Sequence, residues 1–137
     1  MTDPCGYEEV EHTADWSLRV WGQTFGQLCI CAAEGMLALA GIEPETAMGE
    51  WRSIDLHADD PESLLVLWLE ELLFAIETEQ TTYIDYDLVL QADLQLVGRV
   101  LAVPASRPDK PIKAVTFHDL AIHDTQRGHE TVIVFDV

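Results

Sequence analysis

A chain of 137 residues with 48% hydrophobic content is long enough to bury a core of its own within one domain. Its charge is lopsided: 25 acids against 7 bases give a formal net charge of −18. Such a surface repels phosphate and argues against direct binding of RNA or DNA, since that affinity comes largely from Lys and Arg. A cation, or a basic protein partner, is the natural complement of such a field.

Residues 1–6 read as a flexible N-terminal tail and residues 7–137 as a single domain. From Tyr7 to Trp21 two short extended runs flank His12-Thr13-Ala14-Asp15. In the second, Trp16, Leu18 and Val20 alternate with Ser17 and Arg19, the period of a half-buried strand. A helix follows, with Thr24 and Gln27 as a capping box, one apolar face through Phe25, Leu28, Cys29, Ala32, Met36 and Leu39, and Gly41 as the stop. Trp51 to His57 alternates again. The second helix opens on Asp60 as cap, Pro61 at the first helical position and Glu62 in the first turn. Leu64, Leu65, Trp68, Leu72, Leu73 and Ile76 form its broad apolar stripe. Strands are expected near Tyr83–Leu90, Leu94–Val103, Ile112–Phe117 and Thr131–Val137, with a proline-rich loop from Val103 to Pro111 and a last hairpin turn at Arg127-Gly128. The fold class is α+β: two helices packed on mainly antiparallel β-sheets in a single compact domain.

The three cysteines, Cys5, Cys29 and Cys31, are odd in number and lack a framework spacing, which argues against a disulfide-stabilised domain. On a helix Cys29 and Cys31 point about 200° apart, which suits core packing plus a partly exposed thiol better than zinc. No secretion signal opens the chain. The longest apolar stretch, Leu64 to Ile76, is broken by Glu70 and Glu71 and is too short to span a bilayer. The expected location is the cytoplasm.

Candidate chemistry lies at strand ends. Asp136, next to the terminal carboxylate of Val137, follows the apolar run Val132 to Phe135, and Asp15 precedes the strand that starts at Trp16. If the first and last strands lie close, Asp15, Asp136 and Val137 supply several hard oxygens to one point, a set that suits Ca²⁺ or Mg²⁺ rather than zinc. Solvated strand ends are the other reading of the same residues. Lys113, one of only two lysines, lies among apolar residues; it either reaches water or pairs with Asp15 or Asp136. The histidines, serines and threonines show no nucleophile or zinc-site spacing, and no Gly-rich loop is present to hold a nucleotide.

Several motifs recur together in one order: His12-Thr13-Ala14-Asp15 before Leu18-Arg19-Val20-Trp21-Gly22, the run Leu64 to Leu73, Lys113 to His118, and Val134-Phe135-Asp136-Val137. In that order, at this length, the chain resembles the archease family over nearly its whole extent. The resemblance implies a non-catalytic accessory protein that promotes guanylylation and multiple turnover of an RtcB-type RNA ligase in tRNA splicing and RNA repair. It implies a divalent cation, usually calcium, at Asp15, Asp136 and Val137, and ligase activation through Lys113 with Asp15 and Asp136. Phe117 stands where the family often has Tyr. A second reading is a chaperone-like modulator of tRNA-modifying enzymes such as a methyltransferase. A third, a metal-dependent hydrolase, needs a general base and an oxyanion donor set that the sequence does not offer.

Overall fold

The computed structural model describes residues 4–11, 14–108 and 110–137. Ten elements follow in chain order: β1 (Cys5–Glu9), β2 (Trp16–Gly22), α1 (Phe25–Ala40), β3 (Glu50–His57), α2 (Pro61–Glu79), β4 (Thr81–Gln91), β5 (Gln95–Pro104), β6 (Ala114–Val115), β7 (His123–Thr125) and β8 (Gly128–Asp136). All strand pairings are antiparallel, in a five-stranded sheet ordered β1-β2-β8-β6, with β7 also on β8, and a three-stranded sheet ordered β3-β5-β4. This is the α+β arrangement expected.

Both helices start and stop where local chemistry tells them to. The Thr24 hydroxyl accepts from the Gln27 amide while the Gln27 side chain accepts from the Thr24 amide, and Gly41 closes α1 at φ 68°. Asp60 accepts from the Ser63 amide at 2.7 Å, and Pro61 fills the first turn, where no amide donor is needed. α1 contacts β1, β2 and β4, and α2 contacts β3, β4 and β6, so the helix pair bridges the two sheets. Their buried faces join the inner residues of both sheets in one cluster.

Two contacts fix the helices within it. Trp68, fully buried on α2, donates from its indole nitrogen to the Cys29 carbonyl of α1 at 2.8 Å, which satisfies the one polar atom of a large apolar ring. The same ring meets Tyr83 and Tyr86 of β4 at 5.9 and 6.2 Å. On the other side, α1 lies close on β1 and β2. A Cβ at Gly35 would come to 3.0 Å from Tyr7 and closer still to Leu18, so a larger residue there would have to displace the buried Leu18 side chain.

In the larger sheet, Leu18 faces Ile133, Val20 faces Thr131 and Trp16 faces Phe135 across the β2–β8 ladder. Leu18, Val20, Ile133 and Phe135 are almost wholly buried and line the inner face. On the outer face Arg19 pairs with Glu8 and Glu130, and Arg127 donates to Glu130 with two nitrogens and covers the Trp21 ring at 3.7 Å. The Arg127 hydrogen bond holds the Glu130 carboxyl below the usual carboxylate range. That lowered value means the group contributes stability at neutral pH and loses it as acid protonates the carboxylate.

Several sequence expectations need correction. The chain is already in β1 at Cys5 and Gly6, so the expected tail over residues 1–6 ends earlier; Met1 to Asp3 lie outside the described residues. Cys5 is disulfide-bonded to Cys31, against the expectation of free thiols. The reason is three-dimensional: two residues along α1 turn Cys31 toward β1 and Cys29 toward α2, a juxtaposition that chain spacing cannot reveal. The expected strand over Ile112–Phe117 is a two-residue β6, because Leu120 donates back to the Phe117 carbonyl and the chain turns off the sheet. β8 starts at Gly128, whose φ of 104° completes a hairpin with the unforeseen β7. β5 runs to Pro104, which pairs with Thr81 as the last step of the β4–β5 ladder, so the expected loop starts after Pro104 rather than at Val103.

Closing a loop between residues 26 apart removes unfolded-state entropy worth about 2–4 kcal/mol. Thiol titration checks the pairing. The native protein should show no reactive thiol, because Cys29 is buried and burial pushes its thiol pKa up. Unreduced denatured protein should show one thiol, and reduced denatured protein three. Three thiols without reductant contradict the pairing.

Candidate functional site

β8 brings the predicted residues to one end of the five-stranded sheet. The last pair of the β2–β8 ladder is Trp16 with Phe135, so Asp15 and Asp136 stand one step beyond it on neighbouring strands. On the other edge of β8, Ala114 faces Asp136, and the Lys113 amide donates to the Asp136 carbonyl at 2.7 Å. Asp15, Lys113 and Asp136 are exposed, whereas Val137 is half-buried and packs on the core. That packing pins the strand end in register and holds the main chain of Asp136 between its neighbours.

The backbone of Lys113 and its side chain belong to different surroundings. Its main chain lies against Asp136, but its side chain lines a cleft with Glu70, Leu73, Phe74 and Glu77 of α2. No carboxylate lies within 4 Å of its ammonium among the described residues. Of the two alternatives for Lys113, the pairing with Asp15 or Asp136 is therefore absent among them, and the side chain is exposed. The strand alternation explains this: Asp136 follows inward-facing Phe135 and so points outward, while Lys113 lies two residues before inward-facing Val115.

The other lysine is the one the sequence reading missed. Lys110 places its ammonium 5.3 Å from the centre of the Trp16 ring, next to Asp15 in the chain. Spacing carried no sign of it beyond the scarcity of lysine. Both lysines thus lie around the same sheet end as Asp15 and Asp136.

The donor chemistry of that end is hard oxygen: two carboxylates on adjacent strands and the main-chain oxygen at Val137. These fit a divalent cation of the calcium or magnesium kind. Among the described residues no group of three or more His, Cys, Asp and Glu side chains gathers at one point, so carboxylates alone do not complete a coordination shell there. His12 and Thr13 of the first motif, and Asp109, lie outside the described residues.

The most perturbed side chains sit elsewhere and serve packing. Burial raises the Tyr86 hydroxyl, which donates to the Tyr83 carbonyl at 3.1 Å, and burial raises the Cys29 thiol. His118 and His129 each lie beside an exposed aspartate, at 3.3 and 2.9 Å. Among the described residues no helix is long and apolar enough to cross a membrane.

The model of the archease protein family matches residues 7–137. Protein archease of Methanosarcina mazei is 32% identical over 140 residues, covering 96% of this chain and 95% of its own. Protein archease of Saccharolobus islandicus is 29% identical over 136 residues, covering 96% and 98%. The solution structure of protein 1598 from Methanobacterium thermoautotrophicum superposes with a TM-score of 0.65 at 26% identity, covering 96% of this chain and 99% of that one. The crystal structure of an archease, described as a possible chaperone, from Thermotoga maritima has a TM-score of 0.69 at 20% identity over 95% and 96% of the two chains, and so speaks to the fold alone. With a family match over nearly its whole length and full-length relatives at about this identity, the chain belongs to the archease family.

Proposed function

We propose that this chain is a non-catalytic activator of an RtcB-type RNA ligase, promoting the ligase's guanylylation and its repeated turnover in tRNA splicing and RNA repair. The observation that supports it best is that the main chains of Asp15, Lys113 and Asp136 lie together at the sheet end formed by β2, β8 and β6, within a member of the archease family. The chain presents these groups to a partner, and contacts with RNA phosphate fall to the ligase, because a net charge of −18 disfavours them here. Such a protein works in the cytoplasm. A second reading is a chaperone-like modulator of tRNA-modifying enzymes such as a methyltransferase. That reading expects protection of many clients, where the ligase reading expects one partner and a stoichiometric effect.

In this account Asp15 and Asp136 hold a divalent cation, calcium by preference, with an oxygen of Val137. The ion supplies a fixed positive charge between strand ends that otherwise repel. Lys113 contributes its ammonium to the ligase. Its exposure leaves that ammonium free to act on groups of the partner, and its main-chain bond to Asp136 ties its position to the strand that holds the ion.

Two measurements check this. Ca²⁺ at ~100 times its Kd should stabilise the native state by about 2.7 kcal/mol, and Asp136→Ala should remove most of that shift. A melting temperature that ignores millimolar Ca²⁺ and Mg²⁺ rejects a filled cation site. For Lys113→Ala, the melting temperature should stay close to wild type, within about 0.5 kcal/mol of stability, because no buried charge is orphaned. Stimulation of the cognate ligase under multiple-turnover conditions should nevertheless collapse. A folded Lys113→Ala protein that still drives full turnover removes the lysine from the site.

A further inference from the structure

β1 is weakly enclosed for a strand of the larger sheet. It stands at the end of the order β1-β2-β8-β6, so one of its edges pairs with β2 and the other with no described strand. None of its five residues is fully buried: Cys5 and Gly6 are half-buried, and Tyr7, Glu8 and Glu9 are exposed. An edge strand of this kind draws little from the core and opens locally before the fold as a whole does. Its two ends are tied by different means. At the Glu9 end the Val10 amide donates to the Ser17 carbonyl of β2 at 2.9 Å. At the other end the Gln23 amide donates to the Pro4 carbonyl, and Cys5 is joined covalently to Cys31 of α1. That helix is capped at both ends, so the bond fixes the loose strand to a firm element.

The two sulfurs of this bond are unequal. Thiol exchange needs an external thiolate to reach one of them, and access decides which. Cys31 is only 6% exposed, whereas Cys5 is half-buried on the open edge strand. Cys29 is buried and unpaired, on the side of α1 that faces α2, and stays out of the exchange. In the cytoplasm, the compartment proposed above, a disulfide is seldom a permanent staple and more often answers to the thiol pool. A reachable sulfur beside an enclosed partner is the arrangement of redox-sensing pairs.

We propose that Cys5–Cys31 is a reversible thiol–disulfide pair, in which Cys5 exchanges with external thiols, Cys31 is its resolving partner, and the closed bond latches the start of β1 onto α1. An external thiolate attacks the Cys5 sulfur, the Cys5–Cys31 bond breaks, and its electron pair leaves on Cys31, which takes a proton from water. A second external thiol then attacks the first one's sulfur in the mixed disulfide. Cys5 is released as a thiol and the two external thiols depart as their own disulfide, having supplied both electrons. In the closing direction the Cys31 thiolate attacks the Cys5 sulfur of the mixed disulfide and expels the external thiol. Opening leaves β1 held by its ladder to β2 alone, so it frays from Cys5 toward Glu9. That frees the edge of β2, whose Leu18 and Val20 are at most 1% exposed with β1 in place.

Wild-type protein in millimolar glutathione, with the reduced form in large excess, tests the latch. Thiols counted by mass after acid quenching and alkylation should show the bond opening, and closing again when oxidised glutathione is restored. Hydrogen exchange of the β1–β2 ladder amides should quicken by about tenfold or more on opening, while the β2–β8 ladder stays protected. A bond that remains closed in this buffer is a structural tie and overturns the proposal, and so does an exchange pattern that opening leaves unchanged. Two variants, shown to be folded by their melting curves, test which sulfur exchanges. With oxidised glutathione, Cys31→Ser should form a mixed disulfide on the peptide that carries Cys5. Cys5→Ser should leave Cys31 unmodified while the protein is folded. Equal modification of the two overturns the assignment of Cys5 as the exchanging sulfur.

Discussion

A β-strand has two edges, and β8 uses both. β2 runs along the whole of one edge, from Gly22 opposite His129 to Trp16 opposite Phe135, while β7 and β6 share the other. Burial of Ile133 and Phe135 fixes the register, since a slip by one residue would exchange these side chains with Val134 and Asp136. A carboxylate at Phe135's place would be driven into an apolar interior at large cost. The position of the candidate site thus follows from core packing several ångströms beneath it. Asp136 is at the sheet end because Phe135 is in the core, and Asp15 and Lys113 are beside it because their strands pair with β8.

The charges add a second constraint. With 25 acids and 7 bases, few cations are available for structural pairing, and the fold spends its arginines with care. Arg19 and Arg127 converge on Glu130 across β2, β8 and the hairpin, Arg52 joins Glu50 and Glu79, and Arg99 covers Trp51 at 4.3 Å. These are largely surface contacts, and each contributes modestly in water. Arg107, Lys110 and Lys113 all precede β6, and Lys110 lies over the Trp16 ring at 5.3 Å.

Much of the architecture was legible because it is set locally. Thr24 with Gln27, and Asp60 with Pro61, are short-range capping signals, and both helices start where they predict. The alternation of Trp16, Leu18 and Val20 is likewise a direct image of a half-buried strand. Features decided by distant parts of the chain were not legible. Cys5 meets Cys31 only after β1 has docked on α1. β7 has three exposed residues, His123 to Thr125, and hence no hydrophobic pattern to read. For the site, sequence could name Asp15, Asp136 and Lys113 but not the direction of the lysine side chain, which depends on how β6 faces α2.

On the proposed reading, pairing on β8 makes one cation-binding point of two carboxylates far apart in the chain. Trp16, beside Asp15 at the end of the β2–β8 ladder, provides a built-in reporter. Terbium, a luminescent stand-in for calcium with the same preference for oxygen ligands, should emit when the protein's tryptophans are excited. This emission should be displaced by Ca²⁺, fall sharply in Trp16→Leu, and be lost in both Asp15→Asn and Asp136→Asn. Emission that survives either aspartate substitution, or that is unchanged without Trp16, would contradict a shared site at this sheet end.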